Sequence, residues 1–297
     1  MGKGTVMTRE SGKLYLVATP IGNLEDITLR ALRVLNEVDL IAAEDTRHTV
    51  KLLNHYEIKK KMVSYHQHNE RVQSQQLVWR MLEGENIALV SDAGMPGISD
   101  PGAILVAQAI RAGIAVVPIP GPSAVISALA ASGLDTSLFM FVGFLPRKKS
   151  EQERRLKQIK MFPGTLVFYE SPHRVGATLK ILREVLGNRQ AVIARELTKV
   201  HEKFVRGDLE SLLAQTVSYA NIGEFTILLS GFDESCRQNM TNGESIEDIE
   251  ILFDRMQGEG SSLKEELKVI AQKTGKPVKQ IYRLYLERRK KQQCLND

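Results

Sequence analysis

The chain has 297 residues, 43% apolar and 25% charged, the make-up of a soluble globular protein with room for about two ordinary domains. No apolar run approaches the roughly 18 residues of a membrane helix, and two cysteines, Cys236 and Cys294, argue against a disulfide framework or a Cys-type zinc site. The net charge of +5 is uneven: residues 260–291 carry ten Lys/Arg against three acids, and 147–160 carry seven against two, a pattern that suits a polyanionic partner. A cytoplasmic protein without a metal is expected, its polar residues 1–13 forming a leader and not a signal peptide.

In chain order, short apolar runs at 13–18, 39–43, 62–65, 86–91 and 115–119 predict strands. Between them, helical periodicity covers 28–37 (with Asp26 as N-cap), 47–55, 70–82 and 103–111. Such alternation predicts βαβ units and a mainly parallel sheet. Past Pro120-Gly121-Pro122 the pattern changes. A small-residue helix over 123–132 leads to strands at 139–144, 165–169, 190–195 and 224–229, with a short segment at 203–205 and helices over 148–160, 175–186 and 208–215. The division expected is an α/β domain over 13–121, a second over 122–232, a polar linker over 233–246 and a basic module over 247–297. In that module two helices separated by Thr274-Gly275-Lys276 read as a helix-turn-helix or as a plain helical hairpin, with Pro277 in the first turn of the last helix.

No Gly-x4-Gly-Lys-Ser/Thr loop, no Gly-x-Gly-x-x-Gly after the first strand and no Gly-x-Ser-x-Gly elbow is present, and the histidines lack metal-ligand spacing. Four loops at predicted strand ends remain: 18–24, 43–48, 91–102 and 118–123. The third, Ser91-Asp92-Ala93-Gly94-Met95-Pro96-Gly97-Ile98-Ser99-Asp100-Pro101-Gly102, packs three glycines and two prolines into twelve positions. Ligands of open α/β sheets sit at the carboxyl ends of strands, so these loops predict a cleft suited to a neutral or zwitterionic ligand bound through main-chain groups. Charged residues past strands in the second half, Glu170 to Arg174 and Arg195 to Lys199, are candidates for acid–base work or for ion pairs such as Glu170 with Arg195. Asp45 is a candidate of the same kind, or simply a helix cap paired with Arg47.

Taken together, Thr19-Pro20-Ile21-Gly22-Asn23-Leu24, Ala43-Glu44-Asp45-Thr46-Arg47, the 91–102 loop, Pro120-Gly121-Pro122-Ser123-Ala124 and Tyr169-Glu170-Ser171-Pro172-His173-Arg174 resemble the ribosomal RNA small-subunit methyltransferase I family of the tetrapyrrole methylase-like superfamily. The similarity runs in order from about 13 to 231, and the basic tail is similar to that family's C-terminal helix-turn-helix module. The resemblance implies a class III methyltransferase: two α/β domains of tetrapyrrole methylase type with a small helical C-terminal module, acting as a homodimer. It also implies S-adenosylmethionine as cofactor and, as reaction, 2′-O-methylation of a cytidine ribose in the decoding region of 16S ribosomal RNA, naked or in the small subunit.

Carried over by residue, the resemblance puts Pro20, Asp92, Gly94, Met95, Ser123, Ala124, Tyr169 (or Phe168), Phe225 and Thr226 against the cofactor. The superfamily's Gly-Asp-Pro is replaced here by Ser91-Asp92-Ala93. In-line methyl transfer to a ribose hydroxyl calls for a base, for which Glu170, Glu196, Lys199 and Asp45 are the candidates. Arg47, Arg147, Lys148, Arg174 and Arg195 are the candidates for holding RNA phosphates, joined by Lys276, Lys279 and Arg283 of the tail. Two other functions use parts of the same pattern: methylation of a tetrapyrrole on the same scaffold, and a ligand-sensing regulator that reads DNA with 277–290.

Overall fold

A computed structural model describes residues 10–215, 223–233, 263–274 and 277–293. The described residues through Gly231 form one compact unit, and those from Phe232 onward a second.

The first unit holds two five-stranded sheets. In the first, β1 (Leu14–Val17), β2 (Leu40–Ala43), β3 (Met62–Ser64), β4 (Ile87–Val90) and β5 (Val116–Ile119) run parallel in the order β3-β2-β4-β1-β5. The helices α1 (Leu29–Glu37), α2 (Thr46–His55), α3 (Glu70–Leu82) and α4 (Ala103–Arg111) alternate with them. Every residue of β2 and β4 is buried, as expected of parallel strands covered on both faces. Alternation along the strand sorts them: Ile41, Ala43, Ala88 and Val90 pack with Ala31, Val34 and Leu35 of α1. Leu40, Ala42, Ile87 and Leu89 pack on the other face with Leu77 and Met81 of α3 and Leu105 of α4. The α1 N-cap is Thr28, whose hydroxyl accepts from Ala31 N, and not Asp26. Asp26 instead ends a 3-10 turn, Leu24–Asp26, that the spacing did not reveal.

In the second sheet β6 (Phe139–Phe144), β7 (Thr165–Glu170), β8 (Gln190–Arg195), β9 (Lys203–Asp208) and β10 (Phe225–Leu229) are ordered β6-β7-β10-β8-β9. Only β6 and β7 are parallel; the other pairs are antiparallel. The helices α6 (Lys149–Ile159), α7 (Val175–Leu186) and α8 (Leu209–Gln215) cover one face through Leu156, Leu179, Leu182 and Leu212. The other face is covered by α5 (Ala124–Ser132) and by Ile21, which reaches over from the loop after β1. Strand β9 runs three residues past the segment expected at 203–205. Its Arg206-Gly207-Asp208 has the composition of a turn, yet pairs as an edge strand with Gln190, Ala191 and Val192.

In the second unit, α9 (Leu263–Thr274) and α10 (Val278–Gln293) pack through Leu267, Ile270, Ala271 and Ile281. Pro277 stands just before α10, where its carbonyl accepts from Gln280 N and Ile281 N. Lys276, the expected linker beyond Asp233 and residues 247–262 lie outside the described residues.

Candidate functional site

Because the first sheet is parallel, all its loops after strands open on one edge. β1 lies between β4 and β5, where the direction of winding reverses, the usual ligand position in such sheets. The loops after β1 and β4 are tied together there: Thr19 N donates to Gly94 O and Gly94 N to Thr19 O, both at 2.9 Å. Gly94 holds φ +79°, a conformation that other residues adopt only under strain, and a Cβ on it would meet nothing closer than 3.6 Å. A Cβ there would be in ordinary contact with Ile21 and Pro122, and Gly94 borders a space beside them.

That space is a cavity of about 360 Å³, within the ~300–1,000 Å³ usual for small-molecule sites. One wall is the 93–100 stretch with Ile21 and, from the start of α5, Ser123 and Ala124. The other comes from the second sheet. β10 pairs with β7 so that Thr226 lies opposite Tyr169 and Phe225 opposite Glu170, and all four line the cavity. A bulge in β6 between Phe141 and Gly143 shapes this wall. Residues three apart on a regular strand face opposite ways; the bulge lets Phe141 and Phe144 both reach the Tyr169 ring, at 4.9 and 5.6 Å between centroids. Burial, with the nearby Asp100 carboxylate, pushes the Tyr169 phenol up to about 12, so it stays a neutral donor.

Of the nine expected cofactor contacts, Gly94, Met95, Ser123, Ala124, Tyr169, Phe225 and Thr226 line the cavity; Pro20 and Asp92 do not. Asp92 instead ties neighbouring loops, its Oδ1 accepting from Asp45 N at 3.2 Å and its N–H donating to Glu44 at 3.4 Å. Sequence reasoning missed Ile98, Ser99, Asp100, Phe144, Pro172 and Leu197 as lining residues. The available signal for Asp100 was its place as one of two acids, with Asp92, in the Gly/Pro loop after β4. Its carboxyl is pushed up to about 7, by burial first and then by the Glu44 and Asp92 charges.

The four candidate bases lie in three settings. Glu170 lines the cavity, yet its carboxylate is taken up: Thr178 Oγ1 donates at 2.6 Å, Ser171 N at 2.8 Å, and Arg174 Nε stands at 3.5 Å. Its ion partner is thus Arg174, four residues on, in place of the candidate partner Arg195, which lies over the Phe225 ring. Glu196 and Glu224 both hold Lys199 Nζ, at 3.0 and 3.1 Å. Burial works against both charges in the Glu196–Lys199 pair, but their mutual hydrogen bond prevails, lowering Glu196 and raising Lys199. Gly22 fits against this strap because a Cβ there would lie 2.5 Å from Lys199 Cγ. Asp45 caps α2 and grips Arg47, whose side-chain and backbone hydrogen bonds hold the exposed carboxylate well below its usual range.

Among the basic candidates, Arg47, Arg147, Lys148, Lys279 and Arg283 are exposed. Arg174 fastens the segment after β6, donating to Leu145 O at 2.9 Å and Pro146 O at 3.1 Å. Among the described residues, none that lines the cavity is Lys, Arg or His. Aromatic rings, backbone carbonyls and the carboxylates of Asp100 and Glu224 favour a cationic ligand with an apolar body, and disfavour one carrying phosphates.

Residues 13–213 match the family described as Tetrapyrrole (Corrin/Porphyrin) Methylases. "Ribosomal RNA small subunit methyltransferase I" of Halalkalibacterium halodurans is 48% identical over 285 residues, covering 93% of this chain and 95% of that protein. The protein of the same name from Bacillus subtilis is 40% identical, covering 93% and 94%. Among solved structures, diphthine synthase matches with a TM-score of 0.57 at 15% identity, covering 74% of this chain and 90% of that one. Uroporphyrin-III C-methyl transferase from Thermus thermophilus, complexed with S-adenyl homocysteine, matches at 0.53 and 21%, covering 73% and 97%. The chain belongs to the tetrapyrrole methylase family and, within it, to the ribosomal RNA small subunit methyltransferase I group.

Proposed function

We propose that the protein is an S-adenosylmethionine-dependent enzyme that methylates the ribose 2′-oxygen of a cytidine in the decoding region of 16S ribosomal RNA. The observation that carries this reading is the cavity between the two sheets, walled by aromatic rings and carboxylates with no cationic side chain among the described residues. Those residues fit a sulfonium ligand, which is cationic at sulfur and otherwise built of an adenosine and a short zwitterion. The Halalkalibacterium halodurans and Bacillus subtilis relatives, at 48% and 40% identity, bear a ribosomal RNA name, whereas structures of the Thermus thermophilus uroporphyrin-III C-methyl transferase match at 19–22%, which favours RNA over a tetrapyrrole.

When bound, S-adenosylmethionine supplies a methyl group activated by the positive sulfur. Gly94 and Met95 would offer backbone groups on one side, Ser123 and Ala124 the floor, and Tyr169, Phe225 and Thr226 the opposite wall. Pro20 and Asp92 act at one remove, shaping the loops that carry these contacts. Glu170 is a positioning residue: through Ser171 and Arg174 it fixes the turn beside the cavity. The Lys199 strap with Glu196 and Glu224 holds the loops of the second half in place. Alignment of oxygen, methyl and sulfur by such fixed walls can supply much of the rate.

RNA phosphates would be held by exposed Arg47, Arg147 and Lys148, with Lys276, Lys279 and Arg283 contributing from the C-terminal module; Arg174 and Arg195 act from inside the fold. Residues 13–121 and 122–232 serve as two domains flanking one cleft, and 233–246 as the tether of the module. A homodimer is supported by Val72 and Trp79, two turns apart on α3, and by Ile110 on the adjacent α4, all more than 60% exposed. No described helix is long and apolar enough to cross a membrane, in keeping with work on ribosomal RNA in the cytoplasm.

The test is incubation with methyl-labelled S-adenosylmethionine and undermethylated small subunits, followed by mapping of the label. Label on one cytidine ribose is expected. Absence of label from RNA, in protein that binds the cofactor, would sink the reading.

A further inference from the structure

Among the described residues the cavity is lined by no cation, yet just outside it the chain turns basic: Phe144 at the end of β6 is followed by Arg147, Lys148 and Lys149, all exposed. A nucleotide offered for ribose methylation has to bridge these two settings. Its 2′-oxygen must reach into the cavity. Its phosphates find no counter-charge beside the Asp100 and Glu224 carboxylates and must stay outside, next to cations. The base is then left at the mouth, and something there has to hold it.

Of the large apolar side chains lining the cavity, Ile98 and Phe144 are each 50% exposed, whereas Phe225 inside it is 3% exposed. The two belong to opposite walls and mark the mouth. The walls meet beside them, because a Cβ on Gly143 would come within 3.4 Å of Ser99 Oγ. The 98–99 and 143–144 segments are thus the seam between the first sheet's loops and the second sheet.

A single exposed phenylalanine is common on protein surfaces. This one is held out by a frame. Val142 before it and Leu145 after it are buried in the core of the second sheet. Between them Gly143, at φ +73°, carries the bulge that turns the Phe144 ring to the cavity side. The carbonyls on both sides are fastened: Arg155 Nη2 donates to Val142 O at 2.6 Å, Arg174 Nη2 to Leu145 O at 2.9 Å, and Gln152 Nε2 to Pro146 O at 2.7 Å. Arg174 is itself held by the buried Glu170 carboxylate. Tyr169 meets the Phe144 ring tilted by 59° at 5.6 Å between centroids, so the two rings are not stacked. A rigid segment therefore presents a half-exposed ring and, three and four residues on, two exposed cations.

Resting on the ribose-methylating reading above, we propose that Phe144 is the platform on which the base of the target nucleotide stacks. Ile98 borders the same mouth from the other wall, and Arg147 and Lys148 take the adjoining phosphates. An aromatic face for the base beside cations for the backbone is the usual chemistry of unpaired RNA recognition. Every base has a π face, so the platform supplies affinity and orientation and not the choice of cytosine. Its effect on the reaction is positional: a stacked base fixes the glycosidic bond, and with it the direction in which the 2′-hydroxyl enters the cavity. The Glu170–Arg174 pair gains a second task, since it sets the segment that carries the ring.

The experiment measures kcat/KM for small subunits at saturating S-adenosylmethionine, with wild type, Phe144→Ala, Phe144→Leu and Phe144→Tyr. Two undermethylated substrates are compared: subunits with the natural target cytidine, and subunits reconstituted with a base-free ribose at that nucleotide, which keeps the 2′-hydroxyl. Affinity for S-adenosylhomocysteine is measured by calorimetry for every variant. On the cytidine substrate Phe144→Ala and Phe144→Leu should lose at least about fivefold, and Phe144→Tyr, which restores a ring, should recover to within about threefold of wild type. On the base-free substrate Phe144→Ala should differ from wild type by less than about twofold, because no base is left to stack and the two deletions remove one interaction. Cofactor-product affinity should stay within about threefold throughout.

Equal losses for Phe144→Ala on both substrates overturn the proposal, since the ring would then act without the base. So does Phe144→Leu performing as well as Phe144→Tyr, which would make apolar bulk sufficient. A loss of about tenfold or more in S-adenosylhomocysteine affinity on Phe144→Ala overturns it too, by making the ring a cofactor wall. In all three cases wild type still labels the cytidine ribose, and the ribose-methylating reading stands. Wild-type protein that binds S-adenosylhomocysteine but labels no RNA brings down that reading, and the platform with it.

Discussion

The first sheet is parallel and meets the cavity with the loops that follow β1, β4 and β5; the second is largely antiparallel and meets it with the side chains of β7 and the start of β10. One wall is therefore mostly backbone and small residues, the other mostly aromatic rings and a buried carboxylate. Backbone walls depend on conformation, and substitution damages them through strain. Side-chain walls depend on packing and satisfied charge, and substitution damages them through cavities and orphaned partners.

The largest effect is expected where the second wall is most committed. Glu170→Ala leaves Arg174 without its carboxylate and Thr178 without its acceptor, at a cost of about 3–5 kcal/mol for breaking a buried pair. Urea unfolding measures it, and a cost below about 1 kcal/mol would mean that the carboxylate is not holding this wall. Gly94→Val tests the first wall. A β-branched residue at φ +79° costs about 1–3 kcal/mol, and the displaced backbone should lower S-adenosylhomocysteine affinity at least about tenfold in calorimetry while RNA affinity stays. Unchanged cofactor affinity would take the 93–95 turn out of the site.

Tyr169 separates packing from polarity. Tyr169→Ala should cost about 0.5–1.5 kcal/mol in cofactor binding through lost ring contacts, whereas Tyr169→Phe should bind as wild type; equal losses would mean the hydroxyl matters and the ring does not. The smallest effect is that of Arg47→Ala, away from both walls. RNA binding should weaken, with the slope of log affinity against log salt falling by about 0.7–0.9, and cofactor binding should not change.

The same contrast explains what the amino-acid pattern reveals. Parallel strands such as Leu40–Ala43 and Ile87–Val90 are continuous apolar runs between helices, so the first sheet and its strand-end loops are legible as such. Local polar choices are less so. Asp26 and Thr28 are both good caps, and only the 3-10 turn ahead of Thr28 decides between them. Arg206-Gly207-Asp208 has turn composition, and pairing with β8 overrides it. Glu170 had two arginines in reach on paper, and the helical turn at 174–178 selects Arg174 and Thr178. Phe144 entered the site through a bulge, and Asp100 through a loop folding back across the seam; both depend on contacts between distant segments that spacing does not encode.

The paired hydrogen bonds between Thr19 and Gly94 have a kinetic consequence. Two amides that each donate to the other's carbonyl cannot open singly without giving up a partner, so their protons should exchange with solvent as one event. Amide exchange at these two positions should then have matching opening free energies, set by concerted release of the loops after β1 and β4, and should slow together when the cavity is filled. Proton exchange at residues 19 and 94 is in that sense a clock for how often the first wall comes undone.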